Sequence, residues 1–335
     1  MKLSFGCGTA LLAYLSLGMA ARTRAQDLEQ QRVENIRVSV DLVNVGVVVT
    51  NANGRFVENL RRDNFHVFDN GAELSIAGFA SVEEPAQVLL LIEAGPAVYM
   101  LEEGHLRAAN ALLRGLSAED RVAVAKYDAA PQAILDFTAD KQAAGAAFEQ
   151  LRFNLGFGDL NLSSSLSKVM DWMARVPGKQ SIVLLSSGLD TSPGNMWNAL
   201  VQRLKTSEVR ILAVSLTGGL RPPPPVAQKS KKKSAPEKPS AMMLQFARAD
   251  ETLRQLAESS GGRAYFPKTT ADFAAVYEQI AELLRHEYSL AFAPPERDGR
   301  IHAIDVHITG SSVAASSNYR INHRQGYVAP AAAAP

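Results

Sequence analysis

The stretch Val88-Leu-Leu-Leu-Ile-Glu-Ala-Gly-Pro-Ala97 constrains the fold of this chain more than any other segment. Five consecutive apolar side chains, one carboxylate and then turn residues describe a strand covered on both faces that runs into a tight loop. Strands of this kind sit at the centre of parallel sheets, and the loops at their carboxyl ends are where α/β folds bind ligands. The loop therefore lies where a site belongs. Its chemistry is sparse: Glu93, then Gly, Pro and Ala.

Periodicity divides the rest into three parts. Residues 36–82 read as strands. Val38, Val40 and Leu42 alternate, and Val43, Val45, Val47 and Val49 alternate in the opposite phase, which suggests a bulge. Asn53-Gly54 and Asp69-Asn70-Gly71 are turn signals, and Phe65 and Val67 form another alternating pair. Residues 86–285 alternate strand and helix. Leu106, Leu112, Leu113 and Leu116 share one helical face, as do Leu162, Leu166, Val169, Met170 and Met173. Arg121–Tyr127, Ser181–Ser187 and Val209–Leu216 read as strands, and Leu253, Leu256 and Ala257 line a helix stopped by Gly261-Gly262. Strands spaced by helices predict a doubly wound, mainly parallel sheet. Residues 287–328 return to strands, with Tyr288, Leu290 and Phe292 and then Ile304, Val306 and Ile308 alternating. This segment is expected to form a hairpin that packs with 36–82 into one small antiparallel, sandwich-like unit flanking the α/β part. Within 221–240, Pro, Lys, Ser and Ala dominate, including Lys231-Lys232-Lys233; a segment so poor in large apolar residues cannot offset its ordering entropy, and it is expected to be a disordered, solvated insertion. Residues 329–335 are expected to be a disordered tail.

The segments Val38–Phe79, Asp120-Arg-Val-Ala-Val, Leu184-Leu-Ser-Ser-Gly-Leu-Asp-Thr, Gly261-Gly-Arg-Ala-Tyr-Phe and Tyr288–Pro294, with the Val88–Ala97 loop, resemble the bacterial secreted VWFA-related proteins of the acidobacterial type. The loop itself is similar to the first strand and loop of a von Willebrand factor A (vWA) domain. That resemblance implies a metal-ion-dependent adhesion site holding magnesium or a similar hard ion through two Asp, two Ser and one Thr. The matching positions here are Glu93, Gly95, Ala97, Leu160 and Ser187. Gly95, Ala97 and Leu160 carry no side-chain oxygen, and one of the two carboxylates is replaced by Ser187. A hard cation needs oxygen ligands and net negative charge, so the resemblance implies a degenerate site with no bound metal. Asp159, Asn161, Asp190 and Ser163–Ser165 remain near the same loop ends. With Glu93 and Ser187, the residues Asp159, Asn161 and Asp190 are the binding-surface candidates.

The N-terminus sets the compartment. Lys2 is followed by an apolar or small run to Ala21, with Ala20, Ala21 and Ala25 as small-residue cleavage positions, and residues 1–25 read as a secretory signal peptide. The expected location is secreted or periplasmic. After cleavage no apolar run reaches membrane-spanning length. The only cysteine, Cys7, lies inside the signal, so the mature chain has no disulfide and relies on core burial. A formal charge of +1 and a hydrophobic fraction of 47% give no case for nucleic acid.

Enzyme signatures fail in detail. His286-Glu287 opens a zinc-protease pattern, but Leu290 stands at its second His; Gly156-Phe-Gly158 opens a dinucleotide pattern that Asn161 breaks. His302 and His307 read as surface or packing residues rather than ligands. The function expected is a non-enzymatic protein-interaction module with no cofactor and an unidentified protein partner in or outside the cell envelope. The alternative is an enzyme, or enzyme subunit, with a carboxylate site built from Glu93, Asp128 and Asp190 at the same loop ends.

Overall fold

The computed structural model describes residues 42–95, 110–151, 158–218, 221, 240–310 and 319–332. The signal segment, residues 36–41, Ala97 and insertion residues 222–239, including Lys231–Lys233, lie outside them. The chain begins with β1 (Val43–Asn51), β2 (Phe65–Asp69), β3 (Ala72–Leu74) and β4 (Ile76–Glu83). It continues through β5 (Ala86–Glu93), a helical stretch over 110–115, β6 (Arg121–Tyr127), β7 (Pro131–Thr138), α1 (Lys141–Glu149), α2 (Leu162–Met173), β8 (Lys179–Ser186) and α3 (Gly194–Thr206). Then come β9 (Arg210–Ser215), α4 (Ala241–Ser259), β10 (Arg263–Tyr265) and α5 (Thr270–Arg285). It ends with β11 (His286–Phe292), β12 (Ile301–Ile308), β13 (Tyr319–Asn322) and β14 (Gly326–Val328).

The central sheet has the order β10-β9-β8-β5-β6-β7, parallel except for β7, which runs antiparallel to β6. Its construction follows from β5. Val88, Leu90 and Ile92 face one layer with Leu112, Leu113 and the Phe273, Tyr277, Ile280 and Leu284 stripe of α5. Leu89 and Leu91 face the other, with the α2 stripe and Leu253 and Leu256 of α4. Two apolar faces on one strand require a layer on each side, which makes the fold doubly wound. The chain leaves β5 toward β6 and later returns to β5's other flank as β8. The strand order therefore reverses between β5 and β8, and the crevice at their carboxyl ends is the place for a ligand in an open α/β sheet.

The remaining strands make two four-stranded antiparallel sheets, β13-β1-β11-β4 and β14-β12-β2-β3. Val45, Val47 and Val49 of β1, Phe65 and Val67 of β2, Leu290 and Phe292 of β11, and Ile304, Val306 and Ile308 of β12 share one core between them. N- and C-terminal segments are thus neighbours in both sheets: β11 lies between β1 and β4, and β12 pairs with β2. The expected β11–β12 hairpin is not formed. Pro294 and Pro295 follow β11 after the single residue Ala293, and proline cannot donate to a ladder. The chain crosses instead from one sheet to the other. The tail is also corrected in part. Ala329 is buried, its N–H donates to the Arg300 carbonyl at 2.8 Å, and the Ala332 N–H donates to the Arg297 carbonyl at 3.0 Å. Backbone pairing holds these residues without any large side chain.

β1 serves both cores, because Val48 points away from the sandwich into the α/β layer of Val88 and Tyr277. A charged joint reinforces this contact at the amino ends of the parallel strands. Glu287 Oε2 on β11 lies 3.3 Å from Lys179 Nζ on β8 and 3.1 Å from Arg210 Nη2 on β9. Burial pushes the Glu287 carboxyl up, but Arg210 and Lys179 outweigh it and hold it below its ordinary value. Burial takes the Lys179 ammonium down to about 8 despite Glu287. The three side chains line a cavity of about 410 Å³ together with Arg324.

Candidate functional site

Glu93 ends β5 on the α2 side of the sheet and is fully buried. Its Oε2 accepts from the Ser187 N–H at 2.7 Å, the Ser187 hydroxyl at 2.8 Å, the Ser186 hydroxyl at 3.1 Å and the Tyr127 hydroxyl at 3.2 Å. Tyr127 and Ser186 are also 2.7 Å apart, so the two hydroxyls share their protons with each other and with the carboxyl group. Every one of these donors is neutral. Burial pushes the Glu93 carboxyl above its ordinary value, and the bonds from Ser187, Ser186 and Tyr127 only partly oppose it. Burial, and then the facing Glu93, push Tyr127 well above the ordinary phenol value. The cluster is a buried hydrogen-bond knot in which the carboxyl group meets only neutral donors.

The other oxygen, Oε1, has no hydrogen-bond partner. A Cβ on Gly95 would stand 3.1 Å from it and 3.2 Å from Leu160 Cδ2. Leu160 methyls and the bare Gly95 backbone thus close over the carboxyl group, on the side where the vWA resemblance puts two oxygen ligands. A hard divalent ion takes at least six oxygens. Here it would find one free oxygen beneath hydrocarbon, and the residues present do not fit such an ion. Sequence reasoning paired Glu93 with Ser187 but missed Tyr127 and Ser186. The available signal was register: β5 and β6 are apolar runs of similar length, and Glu93 is the direct neighbour of Tyr127 in the ladder.

Two of the remaining candidates, Asn161 and Asp190, fall into a separate network that locks the loops together. Asp190 Oδ2 accepts from the Ser163 N–H at 3.2 Å and from the Ser163 hydroxyl, and its Oδ1 accepts from the Ser192 N–H at 3.0 Å. Asp190 therefore caps α2, whose own N-cap residue Asn161 makes no side-chain cap. The Asn161 amide donates to the Ala129 carbonyl and its oxygen accepts from Thr191, both at 3.0 Å. Asp159 is exposed and takes part in none of these bonds. Asp128 is half-buried, and its Oδ1 faces the Ala130 N–H at 3.4 Å. No hydrogen bond among the described residues joins Glu93, Asp128 and Asp190 into one carboxylate site.

Gly188 fixes the rim. Its φ is +79°, and a Cβ there would fall 2.3 Å from the Ala249 carbonyl oxygen, so only glycine fits. That approach brings the loop after β8 against α4. Leu189, 43% exposed, follows immediately; Met242 and Leu244, each 48% exposed, lie one to two turns up α4 from Ala249.

No family model and no curated protein matches the chain. Among solved structures it is similar to a von Willebrand factor type A protein from Catenulispora acidiphila, at 11% identity, TM-score 0.46, over 79% of this chain and 73% of that one. It is similar to the conserved hypothetical protein BatB from Bacteroides thetaiotaomicron at 10% identity, TM-score 0.42, over 60% of this chain and 98% of that one. It is also similar to the vWF domain of the type V pili tip protein Mfa5 from Porphyromonas gingivalis at 12% identity, TM-score 0.42, over 61% and 95%. Among the described residues no helix is long and apolar enough to cross a membrane.

Proposed function

We propose that the chain is a secreted or periplasmic, non-enzymatic protein-interaction module of the vWA kind, related to the bacterial VWFA-related proteins. Its loop-end site works without an ion. The observation that carries this reading is the state of Glu93: buried, bonded only to neutral donors and roofed by Leu160 and Gly95. A carboxyl group closed off in this way has no open coordination position to offer a partner. Contact then falls to the rim, where Leu189, Met242, Met243 and Leu244 leave large apolar side chains exposed beside the loop after β8. Flexible methionines suit a surface that adapts to its partner. The partner is a protein of the cell envelope or beyond it. Nucleic acid is excluded from the proposal by the near-neutral charge of +1. The raised Glu93 carboxyl is what an acid–base enzyme would also display. However, its only unpartnered oxygen faces Leu160 and Gly95 rather than an open cleft.

The test compares envelope proteins retained by the signal-cleaved chain, by Leu189→Asp and by Met243→Asp, each with and without a chelator. The expected result is one or more partners held by the unaltered chain, unaffected by chelation and lost with either variant. Capture abolished by chelation, or unchanged in both variants, would overturn the reading.

A further inference from the structure

A second buried carboxylate lies in the sandwich, and its surroundings differ in kind. Asp69, at the end of β2, is 2% exposed. Its two oxygens lie 2.9 and 3.0 Å from Nδ1 of His302 on β12, and Oδ2 also accepts from the Tyr327 hydroxyl of β14 at 3.0 Å. His302 is itself only 3% exposed. With Nδ1–H donating to Asp69, the lone pair of the neutral ring sits on Nε2. That nitrogen points at Asp298 Oδ1, 3.3 Å away. In that tautomer a metal ion between the two can take both the nitrogen lone pair and the carboxylate oxygen as ligands. Ligand atoms of Glu296, Asp298 and His302 all lie within 4.8 Å of one another.

We propose that Glu296, Asp298 and His302 form a binding site for a divalent transition-metal ion of the zinc class, with Asp69 and Tyr327 as its supporting shell. Imidazole plus two carboxylates suits zinc and its neighbours better than magnesium or calcium. Two ligand atoms each about 2.0 Å from an ion at a tetrahedral angle stand roughly 3.3 Å apart, which is the His302–Asp298 separation. A carboxylate on the far nitrogen of a metal-binding histidine is the usual device for fixing its tautomer. The groups around the ring are therefore Asp69 and Tyr327 behind it and Asp298 and Glu296 before it. Arg300 Nε lies 3.9 Å from Asp298 Oδ2 on an exposed side chain. Three protein ligands leave a further position for water. The ion would tie the crossing between the two sheets, residues 293–300, to β2 and β14. The only cysteine in the chain is Cys7, so no disulfide can tie this crossing.

The test is a calorimetric zinc titration of the chelator-stripped, tag-free full chain. The expected outcome is one ion per chain with micromolar or tighter affinity. Because Glu296 and Asp298 are exposed, Glu296→Gln and Asp298→Asn should leave folding intact while each weakens binding about tenfold or more; Asp69→Asn should weaken it about 10- to 100-fold. Glu93→Gln should leave it unchanged, which keeps this site's outcome separate from that of the loop end. Affinity weaker than about 100 μM (roughly 5.5 kcal/mol) would overturn the proposal. So would affinity unaffected by both Glu296→Gln and Asp298→Asn.

Discussion

The two ends of β8 place buried carboxyl groups in opposite states. At its carboxyl end Glu93 receives four hydrogen bonds, all from neutral groups, and is pushed toward the protonated form. At its amino end Glu287 sits between Lys179 and Arg210 and is held ionised. Both are shielded from water, Glu93 fully and Glu287 with 14% of its side chain exposed. The difference is a full positive charge in contact, and it outweighs even a larger number of neutral hydrogen bonds.

The largest test of this contrast removes the charged end. Glu287→Ala leaves Lys179 and Arg210 buried without their carboxylate and should destabilise the fold by about 3–5 kcal/mol in urea unfolding. A loss under about 1 kcal/mol would mean that water already screens the joint. Next comes Gly95→Ser. Its Cβ would press on Glu93 Oε1 and Leu160, so a loss of about 1–3 kcal/mol is expected. An unaltered stability would show that the roof over Glu93 opens readily.

Glu93→Gln should cost less, within about 1 kcal/mol near neutral pH, because the amide oxygen can accept from the same neutral donors. The pH dependence gives the sign. A carboxyl raised in the folded state contributes stability that is present below its unfolded value and lost as pH rises through its folded value. A depressed one contributes above its unfolded value and loses it as pH falls through the folded one. Raising the pH should therefore shrink the advantage of the unaltered chain over Glu93→Gln and preserve its advantage over Glu287→Gln. Parallel behaviour of the two variants would break the contrast. The smallest expected effect is none. Magnesium or manganese should bind the loop end no tighter than millimolar, and a calorimetric micromolar site abolished by Glu93→Ala would show that the ion had been kept.

Faces were legible in the sequence where partners were not. The apolar run of β5, the α2 stripe and the alternation of Ile304, Val306 and Ile308 each follow from local periodicity, which dictates what a side chain is turned toward. The lack of side-chain oxygens at Gly95 and Leu160 was equally plain. Contacts across long separations were not. His302 read as a packing or surface residue, because its partner Asp69 is 233 positions away. Asp190 read as a binding-surface candidate, because its capping of α2 depends on where β8 delivers its loop. The β11–β12 hairpin was expected from two adjacent alternating runs. Pro294 and Pro295, already visible between them, were the physical reason to send the second run to another sheet.

The double allegiance of β1 bears on how the molecule comes apart. Val45, Val47 and Val49 are held by the sandwich while Val48 is held by the α/β layer, on one unbroken backbone. Neither region can melt while β1 stays in place for the other, because peeling the strand exposes both apolar faces together. The two architectures therefore form a single cooperative unit. Recombination that cut the α/β part out as a cassette would leave behind the strand that closes it.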